Sequence, residues 1–348
     1  MPFSGGRESS MWLAMATRYA RRHGHDDPVP VTLRHPSLAS PEQFTLQELV
    51  VAHLDLPDWE RVEPDDDLDL IGPIAAASLR RTGPFWPPNA YTMAPLIEVA
   101  RGGVFMLVTG LSDFFAWWRW APLAGVLAGH RRPARRDVAL FASMLVPAVL
   151  RARASRRRTP TLPWLQPAAE QRALALLTDR QAAVPMRFSR AATTQITHRC
   201  FTGAAGTFRA LGEALGTAIE VPLSRPGVVE SLAGTGGWLG FGEQRTMLQR
   251  LAGDLLPSEL LARRPAPDLN PVFFGEPSRE FAASWTGTGL DELVVDIEAL
   301  RRTWLSDRPD PRTACLLQYA WLSEQVALGS SPLPAGELLL TQRNQRGS

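Results

Sequence analysis

Short apolar runs alternate with segments of helical periodicity in the first third of the sequence, and this alternation constrains the fold more than any other feature. The apolar runs predict strands at residues 29–33, 59–63 and 104–109. The last run is apolar almost throughout, which is typical of a parallel strand buried on both faces. The periodic segments predict helices at residues 8–23, 41–54 and 68–81. This order predicts βαβ units and a parallel sheet.

Helical patterns dominate from about residue 115 onward, with one short apolar piece at residues 218–223 as the exception. We therefore expect an α/β fold whose N-terminal part carries a parallel sheet and whose C-terminal part is mainly helical. The predicted organisation is a single domain over residues 1–330, with its sheet-bearing part at 1–115, its helical part at 116–330, and a mobile tail at 331–348.

The composition narrows the possible chemistry and location. All 37 lysine-plus-arginine residues are arginines, so no mechanism in this chain can use a lysine. Cys200 and Cys315 form no CxxC pair, which predicts two reduced thiols and no zinc site. No apolar run reaches the roughly 20 residues of a membrane helix, and the chain does not open on a secretion signal. We expect a cytoplasmic protein without membrane contact.

The charge pattern gives little support for a nucleic-acid partner. The formal net charge is +2, although arginines cluster at residues 131–136 and 151–158. Solvated helix faces account for such clusters, and the near-neutral balance disfavours nucleic acid. A transfer-RNA-modifying enzyme stays open as a weaker alternative, because stripes of arginine attract phosphate.

A glycine-rich loop lies between a short apolar stub that ends at Phe3 and the first predicted helix. It contains Gly5 and Gly6, with serine hydroxyls at Ser4, Ser9 and Ser10. Glycines let the backbone approach an anion closely, and the following helix directs free N–H groups and its positive dipole end at the same place. The sequence thus predicts an anion cradle suited to pyrophosphate, although it lacks the ending of a Walker loop. A plain turn with a capped helix is the alternative.

The segment from Ser4 to Ser9 resembles SGGxDS, the signature of the PP-loop ATP pyrophosphatases, and nearly the whole chain resembles the synthetase domain of asparagine synthetase. Residues 47–51 resemble a helix of stand-alone actinobacterial members. Three further elements follow in order and resemble TGxGxDE, VPFLD…VV and LLPxxLxxRxK: residues 107–113, 221–229 and 255–264.

The resemblance implies an enzyme that adenylates a carboxylate with ATP, releases pyrophosphate, and lets ammonia or an amine displace AMP. It makes residues 1–115 the nucleotide-binding part. Mg²⁺ would be held by Glu8 and Asp113, since hard oxygen ligands suit this ion. The partner would be a small molecule or peptide that bears a carboxylate. The residues implied in ATP binding are Ser4, Gly5, Gly6, Glu8, Ser9, Ser10, Thr109 and Gly110.

Several positions depart from the family pattern. Glu8 replaces an aspartate, Phe114 a glutamate and Arg225 an aspartate, and the family's lysine falls on Pro265, so no catalytic residue is assigned. We expect no glutamine-hydrolysing domain. These departures keep an alternative open: a catalytically degenerate relative that binds a nucleotide or peptide and acts as a partner subunit. The loop at Trp86 is expected to shape the substrate pocket, with core packing of Trp86 as the alternative.

Overall fold

The fold is a mixed α/β arrangement with small parallel sheets and a mainly helical second half. The computed structural model describes residues 1–35, 41–64, 68–108, 118, 120–129, 132–156, 159–242, 244–262 and 270–329. The N-terminal helices are α1 Arg7–His23, α2 Pro41–His53, α3 Pro73–Thr82 and α4 Ala94–Val99. The later helices are α5 Ala121–Leu127, α6 Arg135–Met144, α7 Ala148–Arg156, α8 Pro167–Ala183, α9 Phe188–Ile196, α10 Arg199–Leu215, α11 Pro226–Gly236, α12 Gln244–Ala252, α13 Ser258–Ala262, α14 Glu276–Ser284, α15 Ile297–Trp304 and α16 Ala314–Ala327.

All the described strand pairs of the sheets are parallel. Strand β1 (Val31–Leu33) pairs with β2 (Glu60–Val62), and β3 (Val104–Met106) pairs with β4 (Ala218–Glu220). Residues 1–3 run along the other side of β1, because Phe3 donates its backbone N–H to Val31 at 2.8 Å and Val31 donates to Met1 at 2.7 Å. The sheet regions therefore include residues 218–220, which lie in the helical half of the chain.

Helix α1 forms where the periodicity predicts it. Met11, Leu13 and Ala14 lie on its buried face, together with the polar residues Ser10 and Thr17. The helix ends at Gly24, whose φ of 69° is the left-handed conformation that commonly closes helices. Basic residues in its last turn complement the helix dipole. This helix places the residues just before it, the glycine-rich loop, at its positive end.

Two predicted elements differ from the observed ones at their ends. The predicted helix at 68–81 begins only at Pro73, because the Asp69 carboxylate accepts the Ile71 N–H at 2.9 Å and so offers the backbone a turn instead of a helix. The N-cap of α3 is Gly72. The predicted strand at 104–109 ends at Met106, and Val104 is 69% exposed, so the expectation of a fully buried strand is wrong at its first residue. Residues 65–67 lie outside the described part.

Two apolar clusters form the core. The first gathers β3, α3, α4, α10 and the C-terminal helices around Tyr91, Phe105 and Trp285. The second joins α1 and α2 to α9, α11 and α12 around Phe3, Met11 and Phe241. Both clusters combine residues from the N-terminal third with residues beyond position 160, so the helical part completes the core of the sheet-bearing part.

The close packing of α10 on β4 gives a test of this arrangement. A Cβ on Gly212 would collide with the Ile219 side chain and lie 2.7 Å from the Thr217 carbonyl oxygen. We expect Gly212→Ala to lower the free energy of unfolding by about 1–3 kcal/mol through overpacking. Gly206→Ala on the same helix meets no atom within 4 Å and should instead gain up to about 1 kcal/mol. Denaturant unfolding of both variants measures this difference, and equal changes would contradict the packing.

Within the described residues, none of the helices has the length and apolar character that crossing a membrane requires.

Candidate functional site

The glycine loop (residues 4–6) follows the 1–3 segment directly and leads into α1. Gly5 has a φ of 71°, in the left-handed region that favours glycine. A Cβ at this position would lie 2.6 Å from Cγ of Gln47 and 3.3 Å from the carbonyl oxygen of Gln43. Gly5 is therefore required by its backbone conformation and by its close approach to α2. The turn lies at the carboxyl end of the 1–3 segment, which is where open parallel sheets bind ligands.

Two serine hydroxyls shape the inside of the glycine loop. Ser9 Oγ accepts the Ser4 backbone N–H at 3.2 Å and lies 3.1 Å from Ser4 Oγ. Ser4 Oγ accepts the Gly6 N–H at 3.3 Å, and Ser9 Oγ donates to the Gly6 carbonyl at 3.2 Å. Ser4 is exposed and Ser9 half-buried, so both hydroxyls can exchange a partner within the protein for an anion oxygen.

Two glutamines of α2 hold the glycine loop from behind. Gln43 Nε2 and Gln47 Nε2 both donate to the Ser4 carbonyl oxygen, at 2.8 and 3.1 Å. They lie four residues apart and so share one helix face. Gln47 is buried, and its Oε1 has no hydrogen-bond partner among the described residues. The sequence reasoning did not identify either side chain as loop-shaping, although their i, i+4 spacing was visible.

Leu260, in the described part of the 255–264 element, lies next to the first turn of α1. Arg7 Nε donates to the Leu260 carbonyl oxygen of α13 at 3.4 Å, and Arg18 pairs with Asp254 at 2.8 Å. The structure thus places residues 254–260 beside α1. Arg263 and Pro265, which follow α13, lie outside the described residues.

Of the other predicted ATP and metal residues, some lie in the described part of the chain and some do not. Glu8 is half-buried in the first turn of α1, where its charge complements the helix dipole. Ser10 is fully buried, so its hydroxyl is not presented at the surface of the loop, and it has no partner in the part of the chain that the structure describes. Thr109, Gly110 and Asp113 lie outside the described residues. Within the described part of the chain, no three acidic, histidine or cysteine side chains cluster as a metal site.

Arg225, which stands where the resembled motif has an aspartate, forms an ion pair. Glu220, the last residue of β4, accepts Arg225 Nε at 2.6 Å and Nη2 at 2.7 Å in a bidentate pair. This hydrogen-bonded guanidinium lowers the pKa of the Glu220 carboxyl. This ion pair lies at the carboxyl end of β4. Glu220 was not among the predicted site residues.

A cavity of about 460 Å³ lies at the carboxyl ends of β3 and β4, where Leu107 and Val221 form part of its wall. Leu107 extends the strand pairing by donating its N–H to Glu220 at 2.7 Å. Trp86 also lines the cavity and is 45% exposed, so core packing does not account for this side chain. The volume falls in the range of about 300–1,000 Å³ that small-molecule sites have.

Comparison with known proteins adds no family assignment. No protein-family model matches the sequence, and no curated protein matches it significantly.

Proposed function

We propose that the chain is an asparagine-synthetase-like, ATP-dependent amide-forming ligase with a PP-loop fold. It adenylates a carboxylate and transfers the acyl group to ammonia or an amine. The observation that carries the proposal is the glycine loop. Gly5 turns the backbone there with a positive φ, and the hydroxyls of Ser4 and Ser9 lie at the N-terminus of the 17-residue helix α1. Such a turn presents N–H and O–H donors to phosphate oxygens.

The order of the parallel segments supports a PP-loop fold. Segment 1–3 lies beside β1, β1 lies beside β2, and β3 pairs with β4. This arrangement is compatible with a doubly wound sheet whose central strand is segment 1–3. The glycine loop would then occupy the point where the strand order reverses, and ligands bind at that point in open α/β sheets.

In the proposed reaction, a carboxylate oxygen attacks the α-phosphorus of ATP, the α–β anhydride bond breaks, and pyrophosphate leaves. An amine nitrogen then attacks the acyl carbon, AMP leaves, and the nitrogen loses its proton to a base. Ser4, Ser9 and the first turn of α1 would hold the leaving pyrophosphate, where preorganised donors stabilise developing charge. Mg²⁺, held by Glu8 and Asp113, would neutralise phosphate charge.

The proposal is tested by carboxylate-dependent exchange of labelled pyrophosphate into ATP in the presence of magnesium. We expect exchange with at least one member of a panel of amino acids, short peptides and apolar acids. Ser4→Ala should abolish it, whereas Ser284→Ala, which alters an exposed serine of α14, should not. Absence of exchange with every acid, together with absence of ATP binding, would reject the enzyme.

Gln47→Leu removes the hydrogen bond by which α2 supports the glycine loop, but leaves the serine hydroxyls of the loop in place. The lost hydrogen bond to the Ser4 carbonyl is offset by removal of the unpartnered Oε1, so the free energy of unfolding should change by less than about 1 kcal/mol. ATP affinity should fall by roughly fivefold, which corresponds to about 1 kcal/mol of lost positioning. Calorimetric titration and denaturant unfolding measure the two quantities. An unchanged affinity would show that Gln47 does not position the loop.

A catalytically degenerate partner protein is the second candidate, and exposed apolar side chains favour it. Leu145 and Val149 are each 78% exposed, and Leu176 on the neighbouring helix α8 is 67% exposed. Exposed apolar surface of this kind marks interaction sites when it is contiguous. The second candidate predicts no pyrophosphate exchange with any carboxylate, and the exchange experiment therefore separates the two.

A further inference from the structure

The cavity at the carboxyl ends of β3 and β4 has mainly apolar walls. Its aromatic and large aliphatic side chains come from the 86–93 segment, the strand ends and α10: Trp86, Met93, Leu107, Phe201, Phe208 and Val221. Trp86 is fixed over α10 by its backbone N–H, which donates to Thr207 Oγ1 at 3.3 Å. These walls favour a ligand that buries an apolar body.

One end of this cavity carries a positive charge. Arg180 of α8 is the only charged residue among the described residues that line it, and no described carboxylate does so. Its Nη1 lies 3.6 Å from Cys200 Sγ, while the Cys200 N–H donates to His198 Nδ1 at 3.1 Å. Burial lowers the pKa of His198, and the positive charges of Arg180 and Arg199 lower it further. His198 is therefore neutral at pH 7, and Arg180 supplies the charge that an anion would meet.

A second, smaller cavity of about 110 Å³ shares Arg180 and Gln195 with the larger one. Arg180 and Gln195 thus border both cavities. An arginine fork and an amide donor together suit the two oxygens of a carboxylate.

We propose that this cavity binds a monocarboxylate with an apolar or aromatic body, whose carboxyl group pairs with Arg180 and whose body lies against Trp86 and Phe208. A doubly charged acid such as aspartate fits poorly, because its second carboxylate would lose water against apolar walls. That the bound acid is the one adenylated rests on the proposed function; the binding itself does not.

Calorimetric titration without ATP tests the site, with 3-phenylpropionate, its neutral amide 3-phenylpropanamide, and aspartate as probes. We expect 3-phenylpropionate to bind at least tenfold more tightly than either of the others. Arg180→Gln should remove the preference for the acid over the amide. Arg172→Gln makes the same change at an exposed position of α8 and should leave the preference intact.

Cysteine alkylation gives a second readout on the unmodified protein. Cys200 lines the cavity, so saturating 3-phenylpropionate should slow its reaction with iodoacetamide at least threefold. Cys315 is an internal reference, because burial raises the pKa of its thiol to about 11 and leaves little thiolate at pH 8.

Three results would each overturn the proposed acid site: equal affinity for the acid and its amide, equal affinity for aspartate, or unprotected Cys200. Because ATP is absent, failure of nucleotide binding elsewhere would reject the proposed ligase and leave this binding result unchanged.

Discussion

Gly5→Ala should lower the free energy of unfolding by about 2–5 kcal/mol and abolish ATP binding. The left-handed backbone alone costs an alanine about 1–2 kcal/mol. The added Cβ would also lie 2.6 Å from Gln47 Cγ, and forcing apart a packed contact costs about 1–3 kcal/mol more. The loop would have to move away from α2, which removes its donors from their positions.

Gly24→Ala is the matched control for this variant. Gly24 has a φ of 69°, nearly that of Gly5, but an added Cβ would meet no atom within 4 Å. It should cost about 1–2 kcal/mol and leave ATP affinity unchanged. Guanidinium unfolding of both variants isolates the contact with α2. Equal losses of stability would mean that the loop does not pack on Gln47 as described.

Asp69→Ala should lower the free energy of unfolding by about 3–5 kcal/mol, because several buried donors each lose an acceptor at about 1–3 kcal/mol. The fully buried carboxylate accepts the backbone N–H groups of Ile71 and Gly275 at 2.9 and 2.6 Å. It also accepts the Ser278 backbone N–H at 3.3 Å and the Ser278 hydroxyl at 2.8 Å. It thereby joins the turn before α3 to α14.

Burial raises the pKa of the Asp69 carboxyl, and its hydrogen bonds oppose that shift. Since the folded pKa exceeds the unfolded value of about 3.9, the stabilisation by Asp69 is greatest below the unfolded pKa. It decreases as the pH rises through the folded pKa. Unfolding of the wild type and of Asp69→Ala at a series of pH values measures this contribution.

Asp296→Ala provides the comparison for a carboxylate that caps a helix. Asp296 caps α15 by accepting the Ala299 N–H at 2.9 Å, so its loss should cost only about 1 kcal/mol. If Asp69→Ala cost no more than Asp296→Ala, the buried network around Asp69 would not be a main support of the fold.

Loss of Asp69 should also affect the cavity that Trp86 lines. Gln318 Nε2 donates to the Leu70 carbonyl at 3.1 Å and to the Pro88 carbonyl at 2.7 Å. The turn that Asp69 stabilises is therefore linked by one side chain to the loop that carries Trp86. We infer that the hydrogen bonds of Asp69 and Gln318 help to position the Trp86 wall of the cavity, although Asp69 itself does not line it.

Local patterns predicted the extents of α1 and α2 well, since helical periodicity is a property of consecutive residues. The start of α3 was predicted five residues early, because the turn in which Asp69 accepts the Ile71 N–H is held by further bonds to Gly275 and Ser278, more than 200 positions later. The pairing of β3 with β4 joins residues more than 100 positions apart, and no local pattern specifies that pairing.

The candidate site was predictable to a similar degree. The glycine loop was visible in the sequence as a turn before a helix, and the structure places Gly5 in the left-handed conformation that such a turn uses. The support from Gln43 and Gln47 depends on how α2 packs, and the cavity around Arg180 gathers residues from α8, α9 and α10. Neither could be derived from spacing alone, because both depend on tertiary contacts.

Calorimetric titration with ATP and magnesium tests the central claim most directly. The account predicts saturable binding to the wild type and to Gly24→Ala, and loss of that binding in Ser4→Ala and Gly5→Ala. Absence of binding to the wild type, or equal binding to all four proteins, would contradict a nucleotide site at the glycine loop.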